Sequence, residues 1–329
     1  METTTGKLDL LETEIAIKYI KDTFERELAK NLKLTRVSAP LFVLPETGLN
    51  DNLNGFERTV RFDVKSIGKE VEIVQSLAKW KRNALNKYGF KGETGLYTDM
   101  NAIRRDEDLD AIHSIYVDQW DWEKIIEKRH RTTANLKKIV KLVYKTLLKV
   151  GNAVTKRYPA LTCNLPSEIF FITSKELEKL YPTLSRKERE RAIVKEKKAV
   201  FLQGIGWKLA DGKPHDGRAA DYDDWKLNGD ILLYNEVLDD AFEISSMGIR
   251  VDEVSLVKQL KAKGEMEKLS NPYCQDVINC RLPYTIGGGI GQSRLCMFFL
   301  KKAHIGEVQS SVWSESDAKE LSSKGIFLL

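Results

Sequence analysis

The residues best suited to chemistry fall in three stretches of the chain. The first is a glycine run, Gly287, Gly288, Gly289 and Gly291, followed by Ser293, Arg294 and an apolar helical segment. Glycines ahead of a helix expose backbone amides that can hold phosphate. The spacing fits neither the dinucleotide fingerprint nor a P-loop, because no lysine follows and residue 292 is Gln. Close packing of a glycine loop on a sheet explains the same run equally well. Arg294 tips the balance, since a planar guanidinium beside such a loop stacks on a base or pairs with phosphate.

The second stretch is GLYTDMNAIRRDEDLDAIHSIYVDQWDWE, with Arg104 and Arg105 in a charged loop before a β-like segment. Alternate residues His113, Ile115, Val117, Gln119 and Asp121 share one strand face. Gln119 and Asp121 could therefore grip a substrate amino group, unless that face is simply exposed. Trp120 and Trp122 on the opposite face favour burial there and leave the polar face for a site.

The third is NGDILLYNEVLDDAFEISSMGIRV, in which Asp230 and Glu243 lie on neighbouring β-like runs joined by a turn around Asn235 to Asp240. Carboxylates facing each other across a hairpin can hold Mg²⁺, which takes one or two carboxylates along with nucleotide phosphates and water. Arg250 stands seven residues after Glu243, so a regular strand would point the two to opposite faces. For both to serve one pocket, the chain must bulge or bend near Ser246 to Gly248.

The elements that would position these residues can be read from periodicity. Ile15, Tyr19, Ile20, Phe24 and Leu28 predict an amphipathic helix over 12–30. LTRVSAPLFVLPE, broken by Pro40 and Pro45, reads as an edge strand or interface element. RTVRFDV and VEIVQSL, joined at Gly68 and Lys69, predict a hairpin, and LAKWKRNALNKYG a helix that stops at Gly89. Leu136, Ile139, Val140, Val143, Leu147 and Val154 predict a long helix over 131–158, ending before Pro159. Later strands are IFFIT, AVFLQGI, DILLYNE and AFEIS. Strands alternate with hairpins and variable helices, not in a regular βαβ rhythm. The expected fold is α/β (α+β), an antiparallel sheet flanked by helices, in a single domain spanning 1–329.

Bulk composition excludes several classes. The 329 residues are 42% apolar and 31% charged, close to an average globular chain. With 53 basic and 48 acidic residues, the net charge is +5; lysines such as Lys137, Lys138, Lys141 and Lys145 are scattered over helix faces. That pattern predicts no nucleic-acid partner. Cys163, Cys274, Cys280 and Cys296 form no CxxC pair and read as reduced thiols. No 18-residue apolar run or signal segment occurs, so a cytoplasmic chain with no membrane association is expected. Glu2 follows Met1, so the N-terminal cysteine thiol that some enzymes use to draw ammonia from glutamine is not expected here.

Together the three stretches resemble the three motifs of class II aminoacyl-tRNA synthetases: a proline-bearing interface strand at Pro40, an arginine loop and strand at Arg104, and a glycine segment ending in Arg294. VQSLAKWKR (74–82) is similar to the amino-acid-binding segment of the aspartyl and asparaginyl enzymes, and FEISSMGIR (242–250) to their metal and substrate segment. The strings SLAKWKR, GLYTDM, VDQWDWE, DYDDW, LNGDIL, SSMGIRV and TIGGGIGQSRL look like signatures of ammonia-dependent asparagine synthetases, compact relatives of those enzymes. They span residues 50 to 295, nearly the whole chain.

The resemblance implies a class II synthetase-like sheet and a homodimer. It implies that L-aspartate, ATP and ammonia become asparagine, AMP and pyrophosphate through a β-aspartyl-adenylate, with Mg²⁺. By the same resemblance Arg104 would clamp the α-phosphate, and Gly289, Ile290 and Arg294 would hold the nucleotide. Asp230 and Glu243 would hold the metal. Ser76, Lys81, Gln119, Asp121, Ser246 and Arg250 would orient aspartate, with Lys81 and Arg250 facing the carboxylate that is not activated. Asp51 and Asp223 would attract ammonium or accept its proton. The Gly- and Asn-rich stretch beside Asp51 is a candidate lid.

Overall fold

A computed structural model describes residues 8–51, 53 and 57–329. Its strands are β1 (Leu34–Arg36), β2 (Phe42–Val43), β3 (Arg61–Val64), β4 (Lys69–Ile73), β5 (Gly95–Ile103), β6 (Tyr116–Ile125), β7 (Phe170–Thr173), β8 (Ala199–Gln203), β9 (Asp223–Asn235), β10 (Asp240–Arg250) and β11 (Thr285–Gly291). The helices are α1 (Leu10–Leu32), α2 (Ala78–Lys87), α3 (Thr133–Arg157), α4 (Ser174–Leu180), α5 (Arg186–Lys197), α6 (Glu253–Lys263), α7 (Pro272–Ile278), α8 (Gln292–Phe299) and α9 (Glu315–Ser323).

Eight strands form one sheet in the order β1-β5-β6-β11-β10-β9-β8-β7, and β2, β4 and β3 form a small second sheet. The five central pairings of the large sheet are antiparallel; the edge pairs β1–β5 and β7–β8 are parallel. The sheet is mainly antiparallel and flanked by helices, as expected from the irregular spacing of strands; the two parallel edge pairs were not expected. The proline-bearing stretch supplies β1 at the sheet edge, with Pro40 in the connection to β2. The predicted hairpin is β3–β4.

Helices α1 and α3 cover one sheet face. Asp9 caps α1 by accepting from the Glu12 amide at 2.8 Å, and Thr132 caps α3 by accepting from the Asn135 amide at 3.2 Å. Every apolar position predicted for α3 is buried. In α1 the buried stripe runs through Ala16, Ile17, Ile20, Phe24 and Leu28, whereas Ile15, expected on that stripe, is 39% exposed. At 3.6 residues per turn Ile15 sits about 140° around the axis from Ile20, on the flank of the helix. Phe24 stacks on Trp120 with ring centroids 4.7 Å apart, so α1 lies directly on β6. Trp120, Trp122, Ile286, Ile290, Met247 and Phe201 continue this core along the sheet. Burying each such side chain contributes about 1.5–3 kcal/mol. With one face fixed by this packing, strand alternation dictates what the other face presents.

Two sequence expectations change here. The β-like segment begins only at Tyr116, so His113 and Ile115 lie in the preceding loop. The glycine run is not a loop either; it is β11, in the middle of the sheet between β6 and β10. All four cysteines are free thiols, and no helix among the described residues is long and apolar enough to cross a membrane.

Candidate active site

On the face opposite α1 and α3 the sheet opens into a cavity of about 470 Å³. Arg104, Arg250 and Arg294, from three distant parts of the chain, all line it. Its floor is built from the outward positions of β6, β11 and β10. Because Trp120 and Trp122 are anchored in the core, Gln119, Asp121 and Glu123 must point the other way.

The glycines of β11 make room for those side chains. A Cβ at residue 287 would overlap the Glu123 carboxylate and the Arg250 guanidinium, and one at 289 would overlap Gln119 and Asp121. The run is therefore a gap in the sheet surface into which neighbouring strands reach. The Ser293 amide at the start of α8 is already engaged, donating to Asp118 Oδ1 at 3.0 Å. Gly289 borders the cavity, but the Ile290 side chain points into the core, leaving only its backbone toward the site face.

Arg250 is the most heavily committed cation. Its Nε donates to both Glu123 oxygens at 3.0 Å, its Nη2 to Oε2 at 2.7 Å, and its Nη1 to Asp223 Oδ1. Burial pushes the Asp223 carboxyl upward, and Arg250 pulls it back. The bend needed to bring Glu243 and Arg250 to one pocket is present. The β9–β10 register slips between Glu243 and Ser245 and again between Gly248 and Arg250, flanking the stretch where a bulge was expected.

Lys81, on the inward face of α2, lies 3.0 Å from Asp121 Oδ2 and donates to the Gly288 carbonyl at 3.1 Å. Desolvation lowers its pKa despite Asp121. Ser76, just ahead of α2, accepts from the Ala78 amide at 3.2 Å and lines the same cavity.

Asp51 forms part of the cavity wall and is buried. Its Oδ1 accepts from the Leu53 amide at 3.2 Å, while Oδ2 has no hydrogen-bond partner. Burial pushes its pKa up to about 6, against the pull of Lys79. Lys79 is itself held by Asp221 at 3.0 Å. Residues 52 and 54–56 of the candidate lid lie outside the described residues.

Glu243 lines the cavity, whereas Asp230 does not and is reached only through Arg218, which does. Both Asp230 oxygens accept from Arg218 Nη2, at 2.8 and 2.7 Å, and burial raises its pKa to about 8. Glu243 is 39% exposed, with Arg294 Nη1 3.9 Å from its carboxylate and 3.1 Å from its carbonyl oxygen. Ser246 Oγ accepts from Arg218 Nη1 at 2.8 Å. Arg104 is less committed: Nη1 approaches Glu107 at 3.7 Å, and Nε is buried without a hydrogen-bond partner.

Sequence reasoning missed Arg218, Glu123, Lys79 and Asp221. Glu123 continues the Gln119–Asp121 alternation by one more step, so the strand period could have found it. Lys79 stands two residues before Lys81, and its inward direction depends on how α2 packs. Arg218 and Asp221 lie in an irregular connection before β9, where no periodicity signals direction.

The architecture is that of class II aminoacyl-tRNA synthetases. The chain superposes on the asparaginyl-tRNA synthetase of Pyrococcus horikoshii complexed with asparaginyl-adenylate with a TM-score of 0.68, at 17% identity, covering 91% of this chain and 68% of that one. The asparaginyl-tRNA synthetase of Entamoeba histolytica, also with asparaginyl-adenylate, gives a TM-score of 0.65 at 15% identity, covering 91% of this chain and 66% of that one. Those likenesses establish the fold. Within it, a profile of the aspartate-ammonia ligase family matches residues 11–325. The aspartate–ammonia ligase of Ruminiclostridium cellulolyticum is 62% identical over 98% of this chain and 96% of its own length. That of Clostridium tetani is 60% identical over 98% and 95%. The chain belongs to the aspartate–ammonia ligase family, and is an enzyme that makes asparagine from aspartate and ammonia with ATP as co-substrate.

Proposed function

We propose that the chain activates the β-carboxylate of aspartate as an adenylate, releasing pyrophosphate, and that ammonia then displaces AMP. The observation that carries this reading is the convergence of Arg104, Arg250 and Arg294 on one cavity that also holds Lys81 and Asp121. A carboxylate resists ammonia at neutral pH because its leaving group would be oxide, whereas AMP is a good leaving group. Forming the adenylate brings several anions together, and preorganised cations offset their repulsion.

In this reading Arg104, whose Nε has no hydrogen-bond partner, binds the α-phosphate and shares the charge that grows there during attack. Arg294 contacts the nucleotide. Gln119 and Asp121 take the α-amino group, and Ser76 and Ser246 complete the polar wall. Lys81 and Arg250 face the α-carboxylate, which leaves the β-carboxylate free to attack phosphorus. Asp51 and Asp223 hold ammonium, take one proton to free the nitrogen lone pair, and take a second after nitrogen bonds to the β-carbonyl carbon and the carbon–oxygen bond to AMP breaks.

Asp230 and Glu243 are hard oxygen donors on adjacent strands, a donor set that fits Mg²⁺ bound mainly by phosphate and water. Bound there, the ion would neutralise phosphate charge. Exposed apolar side chains Leu41, Phe42 and Phe62 beside Pro40 support assembly as a homodimer through the small sheet.

The experiment is Arg104→Ala assayed by aspartate-dependent exchange of pyrophosphate into ATP. Removing a charge that acts in the transition state should lower exchange by about a hundredfold or more while the fold stays intact. Exchange at the parent rate would remove Arg104 from the reaction.

A further inference from the structure

Arg218 occupies the carboxylate that the reading above gives to the metal. It enters from the irregular connection between β8 and β9. Its Nη2 donates to both Asp230 oxygens at 2.8 and 2.7 Å, and its Nη1 donates to Ser246 Oγ at 2.8 Å. Asp216 lies 3.2 Å from the same Nη2. Its Nε is buried without a partner, and the side chain borders the cavity beside Glu243. Nothing in the aspartate-activation chemistry assigned above uses this residue.

We propose that Arg218 is a phosphate-binding residue that stands in for the divalent cation while the nucleotide site is empty, and exchanges Asp230 for the triphosphate when metal and ATP arrive. The inference rests on the reading of Asp230 and Glu243 as metal carboxylates.

Charge balance and position support the exchange. A buried carboxylate stays ionised only beside a counter-cation, and a guanidinium supplies one by its forked donors. A metal ion that takes Asp230 releases Arg218 beside the anion accompanying that ion. The released fork matches phosphate oxygens as well as it matches a carboxylate. The connection carrying Arg218 is tied down on either side: Asp216 N donates to the Ile205 carbonyl at 3.1 Å, and the Trp225 indole donates to the Ala219 carbonyl at 3.0 Å. The exchange therefore needs only side-chain torsions, not movement of the sheet. A further consequence is that metal without nucleotide must compete with Arg218, whereas metal with nucleotide need not.

The test is Mn²⁺ binding to the full chain without nucleotide, read by electron paramagnetic resonance in mildly alkaline buffer. Loss of a charge-assisted pair is worth about tenfold in affinity or more. Arg218→Met should therefore bind Mn²⁺ about tenfold more tightly than the parent and ATP about tenfold more weakly. A merely structural arginine would give the opposite sign for the metal. Arg218→Lys, which keeps the charge but loses the fork, should fall between the two and serves if the Met variant does not fold. Asp230→Asn separates the two layers of the argument. If it weakens Mn²⁺ binding while the Arg218 variants leave Mn²⁺ affinity unchanged or lower, the exchange is wrong and the metal site stands. If Asp230→Asn leaves Mn²⁺ affinity unaltered in the Arg218→Met background, the metal reading and the exchange fall together.

Discussion

Replacing Arg250 by Met removes the cation that two buried carboxylates share, and the structure indicates how costly that is. The Arg250 side chain is 2% exposed, Glu123 0% and Asp223 3%, so water cannot take over the lost contacts. Removing one partner of a buried ion pair costs about 3–5 kcal/mol, because an uncompensated charge stays behind. Here the pair is bidentate to Glu123 with a further bond to Asp223, which argues for the upper part of that range. The loss should depend on pH. Without Arg250, burial raises the folded-state pKa of Asp223 further above its unfolded value, so the native state binds more protons than the unfolded state. Stability then falls as pH rises through the carboxylate range. The stability deficit should be full in mildly alkaline buffer and shrink as the pH is lowered toward 5. Urea unfolding followed by circular dichroism across that range measures it. Adding Glu123→Gln should recover part of the stability but none of the activity, since aspartate would still lack its α-carboxylate partner. A Met variant as stable as the parent in alkaline buffer would refute the reasoning.

Gly289→Ala should raise the KM for aspartate by about tenfold or more, because a Cβ there displaces Gln119 and Asp121; overpacking of this kind costs about 1–3 kcal/mol. An unchanged aspartate KM would mean that β11 tolerates the methyl and that the glycine serves something else. Ammonia-dependent turnover should fall as pH drops through about 6, where Asp51 gains a proton and loses its attraction for ammonium. Because ammonium speciation affects both proteins equally, the profile is read as the ratio of parent to Asp51→Asn. A ratio that is flat across that range would take Asp51 out of the ammonia step.

Much of the fold was legible because its elements follow one strong period each. The apolar stripe of α3 and the Trp120–Trp122 alternation of β6 leave little choice of face, and with β6 fixed the polar side of the sheet follows. Arg250 and Glu243 showed that the same logic also detects its own exceptions: their odd spacing demanded a bulge, and the β9–β10 register slips twice between them. The glycine run misled because glycine has no side chain to reveal a period. A loop, a helix cradle and a strand crowded by its neighbours look alike in sequence, and only the side chains of β6 and β10 distinguish them. Arg218 was invisible for a related reason, since an irregular connection carries no period and the residue's partner lies on another strand. Ile290 joined the nucleotide-binding set through its neighbours in a motif, although strand alternation sends its side chain to the core.

The central claim is that aspartate becomes an adenylate, and the fate of its β-carboxylate oxygen tests this directly. Aspartate carrying heavy oxygen in the β-carboxylate is turned over with ammonium and Mg-ATP, and the nucleotide product is examined by mass spectrometry. The account predicts AMP that carries one labelled oxygen, formed in step with asparagine. Label in inorganic phosphate, with ADP as the nucleotide product, would mean activation by phosphorylation and would contradict it.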